Sequence, residues 1–418
     1  MWKNLSVDFV TPPFAGHLFP ILQLADHLRQ QGMTRLRILS TADATRAVEL
    51  CGLSMIPILP GDEDNVRNIA DTKDKVGSSP VNMIRQFRKN LALMGKLKNQ
   101  LQRLWTEQQP NLAIVDFTIP VAGLSAQSMG IPWWTTMPSP CVLETRTGIP
   151  AYLGGWGPRT DIIGKVRNSL GRTIVSGFKQ SVRFIFAKEF RDLSIPGVYR
   201  EDGRERAYSP ERILGIGMRE FEFNSDWPEW FEFIGPLTKS PPFPHTPPQF
   251  TTGKRHILVS LGTHILWNKE KAAAMFAKVA EHMPDCQFHF TFGKPGSMDL
   301  ETRTNISFCG YIPYDEYLSR YDAAVIHGGT GVTYSCIKAG VPILVWPQDY
   351  DQFDHAARIV HHGLGLRMKT SISDIKAKLY QLMDDKKILA RVQEFQRLAK
   401  GYDAGNWITN ALQQMVSG

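Results

Sequence analysis

Residues 323–346 have the sequence AAVIHGGTGVTYSCIKAGVPILVW, which indicates the fold of the second half of the chain more clearly than any other segment. Its two apolar runs, 323–327 and 342–346, are typical of strands buried in a parallel sheet. Between them lie a glycine-rich turn and a segment of helical length that ends near Ala339. The order strand, turn, helix, strand predicts one unit of a doubly wound α/β sheet.

The same pattern recurs on both sides of this unit. In the second half, strands are predicted at 256–260, 287–292 and 307–309, with a helix at about 270–282. In the first half, strands are predicted at 5–11, 36–40 and 112–116, with a helix at about 18–31. Two such halves predict an α/β protein with two Rossmann-like domains that face each other across a cleft.

The segment 236–249, PLTKSPPFPHTPPQ, separates the two halves because its prolines forbid both a helix and a central strand. We therefore predict an N-terminal domain at 1–235, a proline-rich linker at 236–250 and a C-terminal domain at 251–400. Residues 401–418 are predicted to form a helix that packs back on the N-terminal domain. A chain of 418 residues is long enough for two domains of ordinary size.

Composition narrows the class of protein. The net charge of +8 favours anionic ligands, but no basic cluster is interleaved with aromatic residues as in a nucleic-acid-binding module. No apolar run is long enough to span a membrane and no signal-peptide pattern is present, so a cytoplasmic location is expected. Disulfides and a zinc site are not expected, because the five cysteines are scattered without a CxxC spacing.

Two basic amphipathic stretches, 81–105 and 162–191, occur in the first half. Their cations are Arg85, Arg88, Lys89, Lys96, Lys98 and Arg103 in the first, and Lys165, Arg167, Arg172, Lys179, Arg183 and Lys188 in the second. We weigh a solvated helical face against a peripheral membrane-surface role for both stretches, and the solvated face is favoured.

Ligands of open parallel sheets bind beyond the carboxyl ends of the strands, which here directs attention to the loops after Ser260, His327 and Trp346. The turn 327–331, HGGTG, brings backbone N–H groups to a helix N-terminus, as diphosphate binding requires. Tight turns also need glycine in proteins that bind nothing. Asp351 and Gln352 follow the next strand and suit two neighbouring sugar hydroxyls, although polar loop residues are common at any surface.

The stretch 327–352, HGGTGVTYSCIKAGVPILVWPQDYDQ, resembles the donor-binding signature of the family 1 glycosyltransferases. This UDP-glycosyltransferase superfamily includes bacterial macrolide and other natural-product glycosyltransferases. The resemblance implies a GT-B fold. It also implies inverting transfer of a hexose, with glucose favoured, from a UDP- or dTDP-sugar to a hydroxyl of a small, largely apolar acceptor.

The resemblance assigns roles to individual residues of the second half. His327 is expected to contact the diphosphate, Gly329 and Gly331 to admit backbone amides to it, and Asp351 and Gln352 to hold the hexose hydroxyls. The complete set of donor-binding residues implied is Ser260, Gly262, Thr263, Tyr311, His327, Gly329, Thr330, Gly331, Val332, Asp351 and Gln352.

The chain departs from the family pattern at three positions. Val332 stands where the family often has a hydroxyl residue, and Ser335 stands where it often has an acid that binds the ribose. Tyr311 lies in the segment that presents the base-binding residue, where plant members have tryptophan. The choice between UDP and dTDP is therefore left open.

In the first half, the loop 13–17, PFAGH, resembles the family's Gly-His loop, whose histidine is the catalytic base. An acceptor hydroxyl must lose its proton as it attacks the anomeric carbon, and imidazole has a suitable pKa for taking it. A lone histidine after a strand is otherwise more often structural. Asp116, at the end of another strand of this half, is predicted to orient His17 and to stabilise its imidazolium.

No cofactor and no metal ion are expected, because helix dipole, backbone amides and His327 would stabilise the leaving diphosphate. The acceptor pocket is predicted to be lined by Phe14, Trp133, Trp134, Met137 and Trp156, although core packing explains each of these residues equally well. Two alternatives stay open: a nucleotide-sugar epimerase of the same fold, and a non-catalytic nucleotide-sugar-binding protein.

Overall fold

The computed structural model describes residues 2–70, 80–224 and 226–417. These residues form two compact units. Of the described residues, the first unit contains those up to Ile69, those from Pro80 to Gly235 and the C-terminal segment from Asp403, and the second contains Ala70 and Pro236 to Tyr402.

The first unit is built on a seven-stranded sheet in which every pairing is parallel. Its strands are β1 Val7–Val10, β2 Leu36–Ser40, β3 Ser54–Pro57, β4 Leu112–Asp116, β5 Trp133–Met137, β6 Ile213–Gly215 and β7 Phe231–Phe233. Its helices up to this point are α1 Ala15–Gln30, α2 Thr45–Leu50, α3 Glu63–Ala70, α4 Pro80–Glu107, α5 Pro120–Ser128, α6 Ile162–Ile185 and α7 Ala187–Asp192.

The strand order β3-β2-β1-β4-β5-β6-β7 places β1 between β2 and β4. The chain therefore builds the sheet outward in one direction from β1 and then in the other, which makes the carboxyl ends of β1 and β4 a topological switch point. β1, β4 and β5 are buried along their whole length, which explains their uninterrupted apolar runs.

The second unit has a seven-stranded sheet of order β10-β11-β9-β8-β12-β13-β14. Its strands are β8 Arg255–Ser260, β9 Cys286–Thr291, β10 Leu300–Arg303, β11 Ile306–Cys309, β12 Ala323–Ile326, β13 Ile343–Val345 and β14 Gly365–Arg367. Its helices are α8 Leu266–Glu281, α9 Tyr314–Tyr317, α10 Thr330–Ala339, α11 Gln352–His361, α12 Ile372–Asp384 and α13 Lys386–Lys400.

The last helix, α14 Ala404–Ser417, belongs to the first unit and packs against α1. Thr409 of α14 lies 3.3 Å from His27 Nε2, and the Trp407 indole donates a hydrogen bond of 2.8 Å to Glu232. Residues 236–250 contain neither helix nor strand.

The sequence prediction did not include strands β3, β5, β6, β7, β10 and β14. Two of the differences from the prediction have a clear structural cause. Helix α1 begins at Ala15, three residues before the predicted start, because the amides of His17 and Leu18 both donate to the Phe14 carbonyl and close the first turn there. Strand β10 was not predicted; it is antiparallel to β11, and its four residues are exposed, so it lacks the apolar signal of a buried strand.

A buried histidine of the second unit predicts how its stability responds to acid. His289 in β9 is fully buried between the Tyr321 hydroxyl and the Gln249 carbonyl, and burial lowers its pKa to about 4. The unfolded chain binds a proton near pH 6.5, so stability is lost as the pH falls from there towards 4, by about 2 kcal/mol at pH 5.

We expect His289→Gln, which cannot titrate, to remove that part of the acid sensitivity. Urea unfolding at pH 7 and pH 5, followed for wild type and variant, measures it. An equal loss of stability in both proteins between the two pH values would show that His289 is not the titrating group.

Candidate functional site

His17 and Asp116 lie at the switch point of the first sheet. Val10 of β1 is in register with Val115 of β4, so the two strands end side by side. Asp116 is the last residue of β4, and His17 is the third residue of the helix that follows β1. The parallel topology thus brings together two residues that are 99 positions apart in the sequence.

The two side chains form a hydrogen-bonded pair. His17 Nδ1 lies 3.0 Å from one carboxylate oxygen of Asp116 and 3.1 Å from the other. A carboxylate only accepts hydrogen bonds, so Nδ1 donates to it, and in the neutral imidazole the lone pair that a general base needs is then on Nε2. The Asp116 side chain is fully buried, whereas the His17 side chain is 23% exposed.

Neighbouring groups hold this pair in place. Thr118 donates two hydrogen bonds to Asp116, one from its backbone amide and one from its hydroxyl. The His17 ring stacks on Phe117 at a centroid distance of 5.6 Å and meets the edge of Phe14 at 6.2 Å. The orientation of the imidazole is therefore fixed by a buried carboxylate on one side and by aromatic rings beside it.

The structure corrects part of the predicted acceptor pocket. Trp133 and Met137 are buried in the hydrophobic core, and Trp133 packs so closely on Gly123 of α5 that a methyl group there would overlap its ring. Trp134 is also buried, with the Arg212 guanidinium 4.9 Å from its ring centroid and Trp407 of α14 at its edge. Because β5 is covered on both faces, its aromatic side chains are buried whichever face of the sheet they point to.

Phe14 and Trp156 are the predicted acceptor residues that stay partly exposed. Phe14 precedes the first turn of α1 and lies beside His17. Trp156 lies against α6, where its ring approaches Gly171 and receives the Arg167 guanidinium at 4.9 Å. Phe14 therefore lies next to the His17–Asp116 pair, and Trp156 lies beside α6.

In the second unit, three loops meet at one edge of the sheet. Strand β12 pairs in parallel with β8 on one side and with β13 on the other. The loops that follow these strands, 261–265, 327–329 and 346–351, are therefore neighbours. These loops and the residues next to them include most of the predicted donor-binding residues. The others are Tyr311 and the residues in the first turn of α10.

His327 is enclosed by two glycines of these loops. A methyl group at Gly262 would come within 2.7 Å of the imidazole, and one at Gly329 would also overlap it. Gly262 has a φ of 74°, a conformation that other residues adopt only with strain. Burial lowers the pKa of His327 to about 4, so its imidazole is neutral at pH 7 and would donate a hydrogen bond rather than contribute a charge.

Helix α10 begins directly after this turn. Gly329 precedes its first residue, Thr330, and the first-turn amides are the donors that such a helix N-terminus offers to an anion. Apart from the adjacent residues and the backbone of α10 itself, no atom lies within 4 Å of the place that a Gly331 side chain would occupy, whereas Val332 points into the core. The surface above Gly331 is therefore open.

Two predicted residues are engaged inside the protein. The Ser260 hydroxyl is buried, lies 2.6 Å from the Tyr314 hydroxyl and accepts a hydrogen bond from the Gly262 amide. Its position makes Ser260 a residue that shapes the turn. The Tyr311 ring is buried against Phe243, and burial raises the pKa of its hydroxyl to about 12.

The loop that carries Asp351 and Gln352 is held by Gln352 itself. Its side-chain oxygen accepts hydrogen bonds from the amides of Gln348 and Asp349, at 2.9 and 3.1 Å. The NH₂ group of the Gln352 side chain takes no part in these two hydrogen bonds and is the group suited to bind a hydroxyl. Asp351 lies directly before α11 and is half-buried.

Two of the six non-glycine residues with a positive φ among the described residues lie in these loops. Ile265 and Tyr350 have φ values of 64° and 53°, in the left-handed region that a β-branched residue such as isoleucine rarely adopts. Strained residues of this kind tend to occur at functional sites, where the surrounding structure enforces them. One outlier lies in the loop after β8 and the other in the loop after β13.

Sequence reasoning missed Lys269. This residue of α8 is 3% exposed, and its ammonium group donates to the carbonyls of Thr263 and Phe292. Its charge also lowers the pKa of His327. The hydrogen bond to Thr263 holds this cation beside the predicted diphosphate loop. Its segment, NKEKAAA at 268–274, has the composition of an ordinary exposed helix and carries no signal of this role.

His355 and Gln348 were missed as well. His355 is buried, and its Nδ1 lies 2.8 Å from the Gly328 carbonyl, so α11 supports the glycine-rich turn. Gln348 accepts a hydrogen bond of 2.8 Å from Asn268 of α8. Together with the hydrogen bond from the Gln348 amide to Gln352, these contacts connect α8, the loop after β13, α11 and the turn after β12.

Among residues 2–70, 80–224 and 226–417, no three histidine, cysteine or acidic side chains are grouped as metal ligands would be. None of the helices in these ranges combines the length and the apolar character needed to cross a membrane.

Comparison with known proteins gives consistent similarities. Residues 296–401 match the family model described as the C-terminal domain of erythromycin biosynthesis protein CIII-like proteins. The NDP-glycosyltransferase YjiC of Bacillus licheniformis is 23% identical over 403 residues, covering 93% of this chain and 92% of the relative.

Solved structures are similar over almost the whole chain. The glycosyltransferase of kitacinnamycin superimposes with a TM-score of 0.74 at 22% identity, covering 98% of this chain and 99% of its own. The glycosyltransferase VinC in complex with dTDP superimposes with a TM-score of 0.67 at 16% identity, covering 99% and 100%.

Proposed function

We propose that this chain is a family 1 glycosyltransferase of the bacterial natural-product type, and that it transfers a hexose with inversion from a UDP- or dTDP-sugar to a hydroxyl of a small, largely apolar acceptor. The GT-B fold predicted from the sequence is confirmed by the two parallel-sheet units and by the solved structures that superimpose on them. Glycosyltransferase activity with a nucleotide-sugar donor is the part that the relatives support directly.

The observation that carries the proposal is the His17–Asp116 pair. The Nδ1 of His17 donates to a buried carboxylate at 3.0 Å, which makes Nε2 the basic nitrogen of the neutral imidazole and stabilises the imidazolium once Nε2 has taken a proton. An epimerase or a binding protein has no need of such a pair at this end of the sheet. The pair therefore favours transfer to a hydroxyl over both alternatives.

In the proposed reaction, Nε2 of His17 takes the proton of the acceptor hydroxyl while its oxygen forms a bond to the anomeric carbon. The bond from this carbon to the diphosphate oxygen breaks on the opposite face, and the electron pair leaves with the nucleoside diphosphate. Because the attack is in line, the configuration at the anomeric carbon inverts. An α-linked donor thus gives a β-glycoside.

The diphosphate is proposed to lie on the three neighbouring loops of the second unit. The N-terminus of α10, with the open surface above Gly331, supplies amide donors and the positive end of a helix dipole. His327, neutral at pH 7, adds a hydrogen bond, and Lys269 adds the nearby positive charge. Asp351 and the Gln352 amide group are proposed to hold the hexose hydroxyls.

These donors lead to a prediction about metal ions. We expect transfer to continue in excess EDTA, because amides, a helix dipole and Lys269 neutralise the leaving diphosphate without Mg²⁺. The initial rate with the best donor, measured with EDTA and with added Mg²⁺ or Mn²⁺, tests this. If EDTA abolishes activity and a divalent cation restores it, the proposed leaving-group stabilisation is wrong.

The proposed function itself is tested in two steps. A thermal-shift panel of nucleotide sugars first identifies the donor, and mass spectrometry then detects glycosides in small-molecule extracts incubated with protein and donor. A mass increase of one hexose, with loss of the nucleotide sugar, is the expected result. Tight donor binding without transfer to any member of a broad hydroxyl panel would support the binding-protein alternative instead.

A further inference from the structure

Helix α6 presents its apolar side chains to solvent. Phe184 is 85% exposed and Ile163 is 65% exposed, and both lie on a face that runs the length of the helix. We call this surface the α6 apolar face, and it consists of Ile162, Ile163, Val166, Leu170, Ile174, Phe178, Phe184 and Ile185.

The opposite face of α6 packs on the first unit mainly through small and polar residues, with Val182 against the hydrophobic core. Gly164, Asn168 and Gly171 are buried there, and a methyl group at Gly171 would lie 2.6 Å from the Trp156 ring. An ordinary surface helix has the reverse arrangement, with its apolar stripe towards the core. The solvated basic face expected from the sequence is thus a solvated apolar face in the structure.

Basic side chains border the α6 apolar face. Residues 162–192 contain seven lysines and arginines but only two acidic residues, and Lys165, Arg183 and Lys188 are exposed among them. Helix α4 adds further cations at the end of the face, because its Phe87 and Arg88 lie 6.4 and 6.0 Å from the Phe186 ring. Arg85, Arg88 and Lys89 of α4 are exposed, as is Ile84.

We infer that the α6 apolar face, with its basic border, is a docking surface for an anionic lipid bilayer. An exposed apolar stripe of this length marks an interaction site, since soluble surfaces rarely carry one. Apolar side chains that insert at the acyl boundary, combined with lysines and arginines at the level of anionic headgroups, are what interfacial helices use to bind membranes.

Charge distinguishes this occupant from a second copy of the chain. A symmetric dimer through α6 would place the two basic borders against each other, and like charges at an interface oppose association. A bilayer of anionic lipid instead complements the apolar face and the basic border together. The inference goes beyond the proposed function, because it concerns binding of the first unit to a membrane surface and not the transfer of a sugar.

Co-sedimentation with lipid vesicles tests the inference on the intact chain. We expect binding to vesicles of phosphatidylglycerol and phosphatidylcholine, with at least a tenfold weaker affinity for pure phosphatidylcholine. The double variant Ile163→Ser/Phe184→Ser should lose binding because it removes inserting side chains, and Lys165→Glu/Lys188→Glu should lose it because it reverses part of the border. Absence of wild-type binding to the anionic vesicles would overturn the inference.

Matched variants in the second unit serve as controls. Met298→Ser/Leu300→Ser also removes two exposed apolar side chains, and Lys271→Glu/Lys376→Glu also reverses two exposed charges. Both should bind vesicles like wild type. If they lose binding equally, or if sedimentation velocity shows a dimer that Ile163→Ser/Phe184→Ser dissociates, the bilayer assignment is wrong.

Sugar transfer and vesicle binding can be measured separately. The Ile163→Ser/Phe184→Ser variant should transfer sugar to a water-soluble acceptor at the wild-type rate, since neither residue contacts the His17–Asp116 pair. Vesicle binding itself is measured without donor or acceptor. A protein that binds vesicles but transfers nothing would refute the proposed function and leave the docking surface intact.

Discussion

Replacing His17 by alanine is expected to lower kcat for transfer to a hydroxyl acceptor by roughly 10²–10⁴-fold, the range that a positioned general base contributes. The affinity for the nucleotide sugar should stay within a few-fold of wild type, because His17 belongs to the first unit and the proposed donor loops belong to the second. Steady-state kinetics with saturating acceptor measures the first quantity, and calorimetric titration with the donor measures the second.

The Asp116→Asn variant separates the base from its orienting partner. An asparagine amide keeps the volume and can still accept a hydrogen bond from Thr118, but it supplies no negative charge to stabilise the imidazolium. A clear loss of kcat with unchanged donor affinity is expected. His282→Ala, which removes an exposed histidine at the end of α8, is the control and should behave like wild type. Near-wild-type turnover by His17→Ala would remove the pair from the mechanism.

The pairing of His17 with Asp116 could be predicted from the sequence because both follow apolar runs that form central parallel strands. Strand ends in one sheet meet at one edge, so topology alone brings them near. The glycine-rich turn before α10 was predictable for the same reason. What the sequence could not supply is the contact that each glycine serves: Gly262 and Gly329 make room for the His327 ring.

Other features depend on tertiary contacts that leave no local trace. Lys269 is buried by the loops after β8 and β9, while Lys271 in the same helix is exposed, and nothing in their shared segment distinguishes them. The side chains of Trp133 and Trp134 point to opposite faces of β5, and only the covering helices decide that both are buried.

The orientation of helix α6 on the protein is another feature that its sequence pattern does not determine. Its amphipathic pattern predicts one apolar stripe but does not state which side of the helix meets the protein. The default expectation places the apolar stripe inward. The overlooked signal was Gly164 and Gly171, seven residues apart and hence on one face, where close packing admits no larger side chain.

Two neighbouring glycines should respond to alanine in opposite ways. Gly329→Ala places a methyl group against the His327 ring, so it should lower both the stability of the second unit and the affinity for every nucleoside diphosphate. The methyl group of Gly331→Ala meets no atom within 4 Å outside the adjacent residues and the backbone of α10, and it lies in the first turn of this helix, so the variant should keep or raise stability by up to about 1 kcal/mol.

The affinity of Gly331→Ala is the decisive measurement. If a diphosphate approaches the first-turn amides of α10, the new methyl group occupies its space, and we expect at least a tenfold loss of affinity for UDP or dTDP in a protein that is no less stable. Gly95→Ala in α4 is the control, because it also meets no atom within 4 Å but lies in the first unit. Calorimetric titration and thermal unfolding of all three variants separate the effects. Wild-type diphosphate affinity in Gly331→Ala would mean that the diphosphate does not lie at this helix N-terminus.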